Sequence, residues 1–299
     1  MSILGPLRRR LFSILAHLPP VAAAVFWMSI CAIAFSLMAV AVRFAAATLP
    51  AGEVTFFRNF IALAFLAPLL IRRGGAVFRV PRPWTAATLA LWQAISNFCV
   101  VVAFAAMQLA DAVAISFLTP LIVVAMAALL GIERVDTGRW TATLAGFAGM
   151  LLIVRPGFQQ MPPETLLVLA SATVTAFFSL TVRNLGRDHH PDTLVLIALG
   201  GSLPILGIAA LWSWRLPGPE EAGYLLAVGL AAAVGQVAMV RAYAVAESSV
   251  VMPFAFLQLP ATALAAYAAF DQVPDLFTCV GALVIFASAQ FTVRREKRT

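Results

Sequence analysis

The stretch ADAVAISFLTPLIVVAMAALLGIERV at residues 110–135 decides the fold, because AESSVVMPFAFLQLPATALAAYAAFDQV at residues 246–273 repeats its order of features. Each stretch opens with small residues and an acid, Asp111 or Glu247, continues as an apolar run that contains proline, and ends in a polar turn. Such runs approach the ~20 apolar residues that a helix needs to cross a bilayer. We therefore expect spanning helices that recur in two halves.

Apolar runs of similar length also fill the rest of the chain, and the short segments between them hold nearly all the charge. Hydrophobic residues make up 62% of the 299 and charged residues 11%, against ~25% charged residues in a soluble domain. Backbone groups in lipid must pair within the protein, so such runs indicate helices. The sequence predicts an all-α integral membrane protein with ten transmembrane helices, at residues 21–42, 54–71, 84–107, 112–131, 137–154, 164–182, 193–212, 222–243, 248–270 and 274–292.

The repeat also predicts how the two halves insert. A glycine-bearing run follows each quoted stretch, GRWTATLAGFAGMLLIV at residues 138–154 and PDLFTCVGALVIFASAQF at residues 274–291. Each half, residues 1–157 and 158–299, therefore holds five spans. Because five is odd, two similar halves must cross the membrane in opposite directions. Inverted repeats are typical of secondary transporters, whose substrate site lies near the midplane between the halves.

Several motifs carry a resemblance to a known family: FFRNFIALAFL at residues 56–66, TPLIVVAMAALLGIERV at 119–135, GFAGMLLIVRPG at 146–157 and PFAFLQLPATALAAYAAFDQVPD at 253–275. With these motifs the whole chain resembles the EamA repeat proteins of the drug/metabolite transporter superfamily. The resemblance implies ten helices in two inverted repeats, and export or uptake of small metabolites through a central cavity. Within the superfamily the chain is similar to the YddG-like amino acid exporters, with the S-adenosylmethionine and riboflavin carriers as alternatives. It departs from the family after the ninth span, where Gln272 stands in place of the usual glutamate.

The distribution of basic residues predicts the orientation. Of the 20 Lys and Arg residues, 16 fall on the side of the two termini, three fall on the opposite side, and Arg58 lies inside the second span. The positive-inside rule then places both termini in the cytoplasm, with the bacterial inner membrane as the expected location. We interpret the first span, which follows the basic segment at residues 8–10, as a retained anchor rather than a cleaved signal peptide.

Other classes of function find little support in the sequence. The three cysteines have no metal-ligand spacing, and His17, His189 and His190 all lie in connections. No cofactor motif and no soluble catalytic domain is recognisable, so we expect neither a cofactor nor a metal, and no enzyme. The basic residues sit at helix ends, which argues against nucleic acid as a partner. The expected partners are a small-molecule solute and the lipid bilayer, for a monomer or a homodimer; a channel or an intramembrane enzyme is the alternative of a different class.

The third predicted span is the most polar and supplies half of the candidate substrate-binding residues. Gln93, Ser96 and Asn97 are spaced i, i+3 and i+4, so they share one helix face beside Trp92. Their amides and hydroxyl can replace water around a solute. Hydrogen bonding between helices is the equally weighted alternative. For the stripe Ser171, Thr175 and Ser179 on the sixth span, close helix packing is the favoured interpretation.

The eighth and ninth spans supply the remaining candidates for substrate binding. Gln236 and Tyr243 lie two turns apart on one face of the eighth span, Phe254 is a candidate for the cavity wall, and Gln258 lies two residues before Pro260. A kink at that proline would free backbone carbonyl groups. Each of these side chains is a hypothesis for the lining of the solute path.

A second group of residues is assigned structural or gating roles, namely Arg58, Pro120, Glu133, Pro253 and Pro260. Arg58 could neutralise a substrate carboxylate, but a structural role is the favoured interpretation. All 13 acids fall in connections, near predicted span ends or in the C-terminal tail. Proton-coupled carriers usually place a titratable group within the membrane. The sequence therefore predicts little proton coupling.

Overall fold

The computed structural model describes residues 20–71, 83–130, 137–154, 163–185, 191–245, 254–255 and 257–296, and within these ranges the regular secondary structure is helical. The all-α prediction is confirmed for them. The helices, numbered in chain order, are α1 (Pro20–Ala46), α2 (Ala51–Ile71), α3 (Pro83–Ala106), α4 (Leu109–Ser116), α5 (Thr119–Leu129), α6 (Thr137–Val154), α7 (Glu164–Leu185), α8 (Pro191–Leu211), α9 (Pro219–Val245), α10 (Gln258–Phe270) and α11 (Leu276–Glu296).

Five helical stretches of the described chain are long and apolar enough to cross a membrane: Ala22–Ala46, Pro83–Ala106, Glu164–Val182, Thr193–Leu211 and Pro219–Met239. Shorter apolar stretches run over Leu109–Val123, Leu144–Ile153 and Leu276–Ser288. These helices make the chain an integral, multi-pass membrane protein. The count of ten crossings stays a prediction.

The predicted fourth span, at residues 112–131, is wrong as a single helix. α4 ends at Ser116 and α5 begins at Thr119, and the Thr119 hydroxyl donates to the Ser116 carbonyl at 2.7 Å. A proline disfavours helical geometry in the residue before it but is well tolerated in a first turn, which is where Pro120 stands. Pro120 therefore starts a helix here. Six of the eight residues of α4 are buried, so this short helix lies deep in the bundle.

Pro260 has the same role in the second half. It is the third residue of α10, within the first turn, where the missing N–H has no helical partner to lose. Residues 248–253 and 256 of the predicted ninth span lie outside the described residues, so the kink itself stays a prediction. Glu133 and Pro253 lie outside the described residues.

The helix pairs recur with an offset of five spans, if α4 and α5 together count as the fourth. Span 1 packs against span 8, and span 3 against span 6; span 2 packs against span 8, and span 3 against span 7. Span 1 packs against span 9, and span 4 against span 6. If five is added to, or subtracted from, each span number, the first pair of each comparison becomes the second pair. The pairs 2–7, 4–9 and 5–10 are unchanged by this exchange, and the two spans of each of these pairs also pack together.

Two glycines set the separation of α6 and α11. A Cβ atom at Gly281 would lie 2.6 Å from the Gly149 carbonyl oxygen, and a Cβ at Gly149 would lie 2.9 Å from the Gly281 carbonyl oxygen. Both neighbours are backbone atoms, which cannot rotate away. Small residues at such crossings allow close backbone approach, and packing of this kind drives helix association in membranes.

We therefore expect Gly281→Ala to lower the midpoint of thermal unfolding in detergent, because α6 and α11 must move apart, at a cost of about 1–3 kcal/mol. Gly223→Ala in α9 is the matched control, since no atom lies within 4 Å of its added Cβ. That control should keep or raise the midpoint, because alanine favours helix. Equal midpoints for the two variants would contradict the close crossing.

Candidate functional site

A chain of buried amides joins three helices near the middle of the bundle. The Asn97 Nδ2 of α3 donates to the Asn59 Oδ1 of α2 at 3.1 Å, and the Asn59 Nδ2 donates to the Ser202 Oγ of α8 at 3.0 Å. All three side chains are buried. Asn97, a candidate for solute binding, thus has its amide engaged between helices. Asn59 and Ser202 were missed from the sequence, although an asparagine beside a mid-span arginine was a usable signal.

The cation of Arg58 adjoins this chain. Its Nε donates to the Met38 Sδ of α1 at 3.4 Å, and its Nη1 donates to the Asn59 Oδ1 at 3.3 Å. Thus Asn59 Oδ1 accepts from both Arg58 and Asn97, which uses both of its lone pairs. Within the described ranges, no carboxylate lies within 4 Å of the Arg58 guanidinium.

Ser96 holds α3 against α7. Its hydroxyl lies 3.1 Å from the Ser171 hydroxyl and 2.7 Å from the Thr175 hydroxyl. One turn away, the Trp92 ring stacks on Phe177 with centroids 5.3 Å apart and planes 18° from parallel. The structure thus brings Ser96 of the third-span cluster together with Ser171 and Thr175 of the predicted stripe. Ser96 and Trp92 are engaged there in contacts between helices.

Two glutamine amides remain available to a ligand. Gln93 lies on α3 between the directions of Ser96 and Asn97, so it points into the bundle, and it is only half-buried. Gln236 on α9 is also half-buried, and it lies between Gly235, which meets α1, and Val237, which packs against α2. Among the described residues, neither amide has a hydrogen-bond partner. These amides thus differ from the Asn97 amide, which is engaged between helices.

The other predicted residues lie near α10. The backbone carbonyl of Gln258 accepts from the Ser36 hydroxyl of α1 at 3.3 Å, and Ser36 also lies 2.9 Å from the Thr262 hydroxyl. Phe254 packs beside α1 and α9, where it adjoins a cluster that contains Met28 and Cys31. Tyr243 belongs to α9, and its side chain lies outside the described part of the structure.

A cavity of about 600 Å³ lies between α4, α10 and α11, lined almost wholly by carbon atoms. Phe254 and Pro260 line it together with Thr278 and Cys279. A polar solute would lose hydrogen bonds to water there without replacement. The cavity therefore suits apolar groups, and the polar residues described above do not line it.

The end of the bundle where α1 ends and α2 begins, here called the far face, carries a group of contacts, here called the latch, formed by Arg43, Met107, Phe270 and Gln272. The Arg43 Nη1 donates to the Met107 carbonyl at 2.6 Å, and the guanidinium lies 5.1 Å from the Phe270 ring centroid. With the Gln272 amide oxygen turned toward Arg43, that oxygen accepts from Nη1 at 2.8 Å and Nη2 at 3.0 Å. The opposite orientation gains only a 3.3 Å bond from the Leu109 N–H, and it would set the amide –NH₂ against the cation. The first orientation is therefore preferred.

A second contact lies at the far face beside the latch. Glu53, at the start of α2, is fully buried, and its Oε1 accepts the backbone N–H of Arg215 at 2.6 Å. The Arg215 guanidinium pairs instead with Glu221 at the start of α9. The connection between α8 and α9 is thereby tied to α2.

Since Gln272 stands where the family resemblance implies glutamate, its exchange tests the latch. We expect Gln272→Glu to raise the midpoint of thermal unfolding, because the carboxylate would accept two charge-assisted hydrogen bonds from Arg43, a gain of about 1 kcal/mol. Gln272→Ala should lower the midpoint, because Arg43 keeps the Met107 carbonyl but loses the Gln272 oxygen as an acceptor. Shifts in the same direction for both variants would contradict this geometry.

Comparison with known proteins identifies a matching family and several similar transporters. The EamA-like transporter family matches residues 22–155 and again residues 163–294. A riboflavin transporter of Rhizobium johnstonii is 32% identical over 91% of both chains. The pseudopaline exporter CntI of Pseudomonas aeruginosa is 29% identical over 88% of this chain and 93% of its own. An S-adenosylmethionine uptake transporter of Rickettsia prowazekii is 24% identical over 91% and 93%. One solved structure, with 20% identity, shares the fold at a TM-score of 0.62 over 93% of this chain and 98% of its own.

Proposed function

We propose, since the chain belongs to the EamA-like transporter family, that it moves a small amphipathic metabolite across the membrane by alternating access. The family and the similar proteins are transporters, so the chain is a membrane transporter and not an enzyme. In the proposal, residues 1–157 and 158–299 form two inverted five-helix repeats, and the solute passes between them. The match of one family to both halves, together with the exchange of helix pairs at an offset of five spans, supports this arrangement.

The observation that carries the proposed site is the pair of half-buried amides, Gln93 and Gln236, without hydrogen-bond partners among the described residues. They face the bundle from equivalent spans, the third and the eighth. Polar groups within a membrane protein are costly unless they serve a partner. We therefore propose that both amides bind the solute near the midplane.

A zwitterionic amino acid, moved outward, is the first candidate solute. It offers acceptors and donors that match glutamine amides, and an apolar side chain that suits a bundle rich in aromatic rings. A flavin is the second candidate, because riboflavin transporters of Rhizobium johnstonii and Vibrio cholerae are 32% and 34% identical to this chain, the latter over 56% of each. Flux of radiolabelled amino acids and of riboflavin into proteoliposomes distinguishes the two.

The proposed transporter lies in the bacterial inner membrane with both termini in the cytoplasm. The distribution of basic residues supports this orientation. The far face, with its Arg43 latch, then faces the periplasm. Protease protection of a C-terminal tag in intact cells, with cleavage after the inner membrane is opened, is the expected result; cleavage in cells with only a permeable outer membrane would contradict the orientation.

We further propose that transport needs little coupling to protons. The acids on described elements, such as Glu53, Asp111 and Glu221, stand in the first turns of helices and not at mid-depth. The expected result in proteoliposomes is a net flux that changes less than about two-fold when a gradient of one pH unit is imposed or reversed. A steep flux change whose sign follows the gradient would contradict the prediction.

A further inference from the structure

Arg58 is a cation near the middle of α2 whose hydrogen-bond capacity is largely unused. A guanidinium carries five N–H donors. Two of them reach acceptors: a thioether sulfur, which is a weak acceptor, on Met38, and the amide oxygen of Asn59. Among the described residues the other donors have no acceptor, and no carboxylate balances the charge. An arginine at membrane depth without a counter-ion is costly.

The helix geometry directs this cation into the bundle. On α2, Ile61 meets Gly229 of α9, whereas Asn59 bonds to α3 and α8. At 100° per residue, Arg58 lies between these two directions, where it meets Met38 of α1. The opposite side of α2 carries Phe60, which is 49% exposed. Arg58 therefore faces the space enclosed by α1, α3 and α9.

The side of α2 that carries Arg58 is not wholly covered. Phe65 follows Arg58 by two turns on the same side of the helix and is 52% exposed. Arg58 itself keeps part of its surface exposed. A solute between the helices could therefore contact the guanidinium.

The neighbouring amides hold the cation in place. Asn59 Oδ1 accepts from Arg58 Nη1 and is itself fixed by Asn97, while the Asn59 Nδ2 is fixed by Ser202. A guanidinium held in this way keeps its remaining N–H groups ready for a planar, bidentate acceptor. Carboxylates and phosphates present that geometry; neutral carbonyl groups do not balance the charge.

From these observations we propose that Arg58 is a substrate-binding residue that pairs with an oxyanion of the transported solute, a carboxylate or a phosphate. The inference rests on the proposed transport function and narrows its substrate class to metabolites with such a group. It changes the role of Arg58 from the structural or gating one that the sequence favours to direct binding of solute.

The test uses two pairs of labelled solutes that differ only in the oxyanion: phenylalanine with phenylalaninamide, and flavin mononucleotide with riboflavin. Flux into proteoliposomes is measured for the wild type, Arg58→Gln and Arg58→Lys. We expect the wild type to favour the oxyanion member of one pair by about 10- to 100-fold, the range for a charge-assisted hydrogen-bonded pair. The pair that shows the preference tells a carboxylate from a phosphate.

Arg58→Gln should remove that preference, and Arg58→Lys, which keeps the positive charge, should retain it within about five-fold. The ratio within a pair is independent of how much protein folds, so a merely structural role of Arg58 would leave the ratio unchanged in Arg58→Gln. That result, or a wild type that shows no preference for the oxyanion member in either pair, would overturn the inference while transport stands. A wild type that carries none of the four solutes would overturn the proposed function, and the inference with it.

Discussion

Asn59→Leu is expected to cause the largest loss of stability of any single exchange in the bundle interior. Leucine has the same number and branching of side-chain heavy atoms as asparagine but no polar atoms, so the amide of Asn97, the hydroxyl of Ser202 and one donor of Arg58 would each lose a partner. A buried group without a partner costs about 1–3 kcal/mol, although hydrogen bonds between membrane helices average only about 0.6 kcal/mol. The three losses together should cost roughly 2–4 kcal/mol.

The measurement is thermal or denaturant unfolding in detergent, with Ser202→Ala as the matched control. That variant removes only the last bond of the chain and leaves Asn59 with its other two partners, so it should cost less than about 1 kcal/mol. Equal losses for the two variants, or no loss for Asn59→Leu, would contradict a central role for Asn59. Flux through Asn59→Leu should fall with its stability, since Arg58 loses its support.

Gln93→Leu is expected to have the largest effect on solute affinity at unchanged stability. The Gln93 amide has no partner among the described residues, so its removal leaves no group of the protein without a bond. If the amide binds the solute, the lost hydrogen bond should raise the KM for transport by about 10-fold. The unfolding midpoint should stay the same or rise, because leucine suits an apolar interior.

Ser96→Ala, one turn away on the same helix face, is the control for Gln93→Leu. Its hydroxyl bonds to Ser171 and Thr175 on α7, so its loss should lower the unfolding midpoint and leave the KM unchanged. Gln93→Leu should thus raise the KM without lowering the unfolding midpoint, whereas Ser96→Ala should lower the midpoint without changing the KM. A KM that rises equally in both, or in neither, would remove Gln93 from the proposed site.

The helices follow from the sequence because lipid leaves the backbone few alternatives. Apolar runs therefore predict α1, α3 and α9 to within a few residues. The sequence did not locate the break before Pro120, because a proline can kink a helix or start one. The packing around α4 decides between these outcomes, and it depends on residues far away in the chain.

The candidate site was harder to predict than the fold. Periodicity correctly grouped Gln93, Ser96 and Asn97 on one side of α3, but it cannot tell an amide that bonds another helix from one that is left available. That distinction depends on Asn59, whose partners lie 38 and 143 positions away. Similarly, the isolation of Arg58 from carboxylates is a property of the assembled bundle.

The most direct test of the account is counterflow in proteoliposomes, which asks whether a solute crosses through an alternating site between two halves. Vesicles loaded with unlabelled amino acids or unlabelled riboflavin receive a trace of the same solute in labelled form. We expect label to accumulate transiently above its equilibrium level for amino acids or for riboflavin, and we expect Gln93→Leu to reduce this overshoot. Simple equilibration without an overshoot, as through a channel, or no entry of either solute, would contradict it.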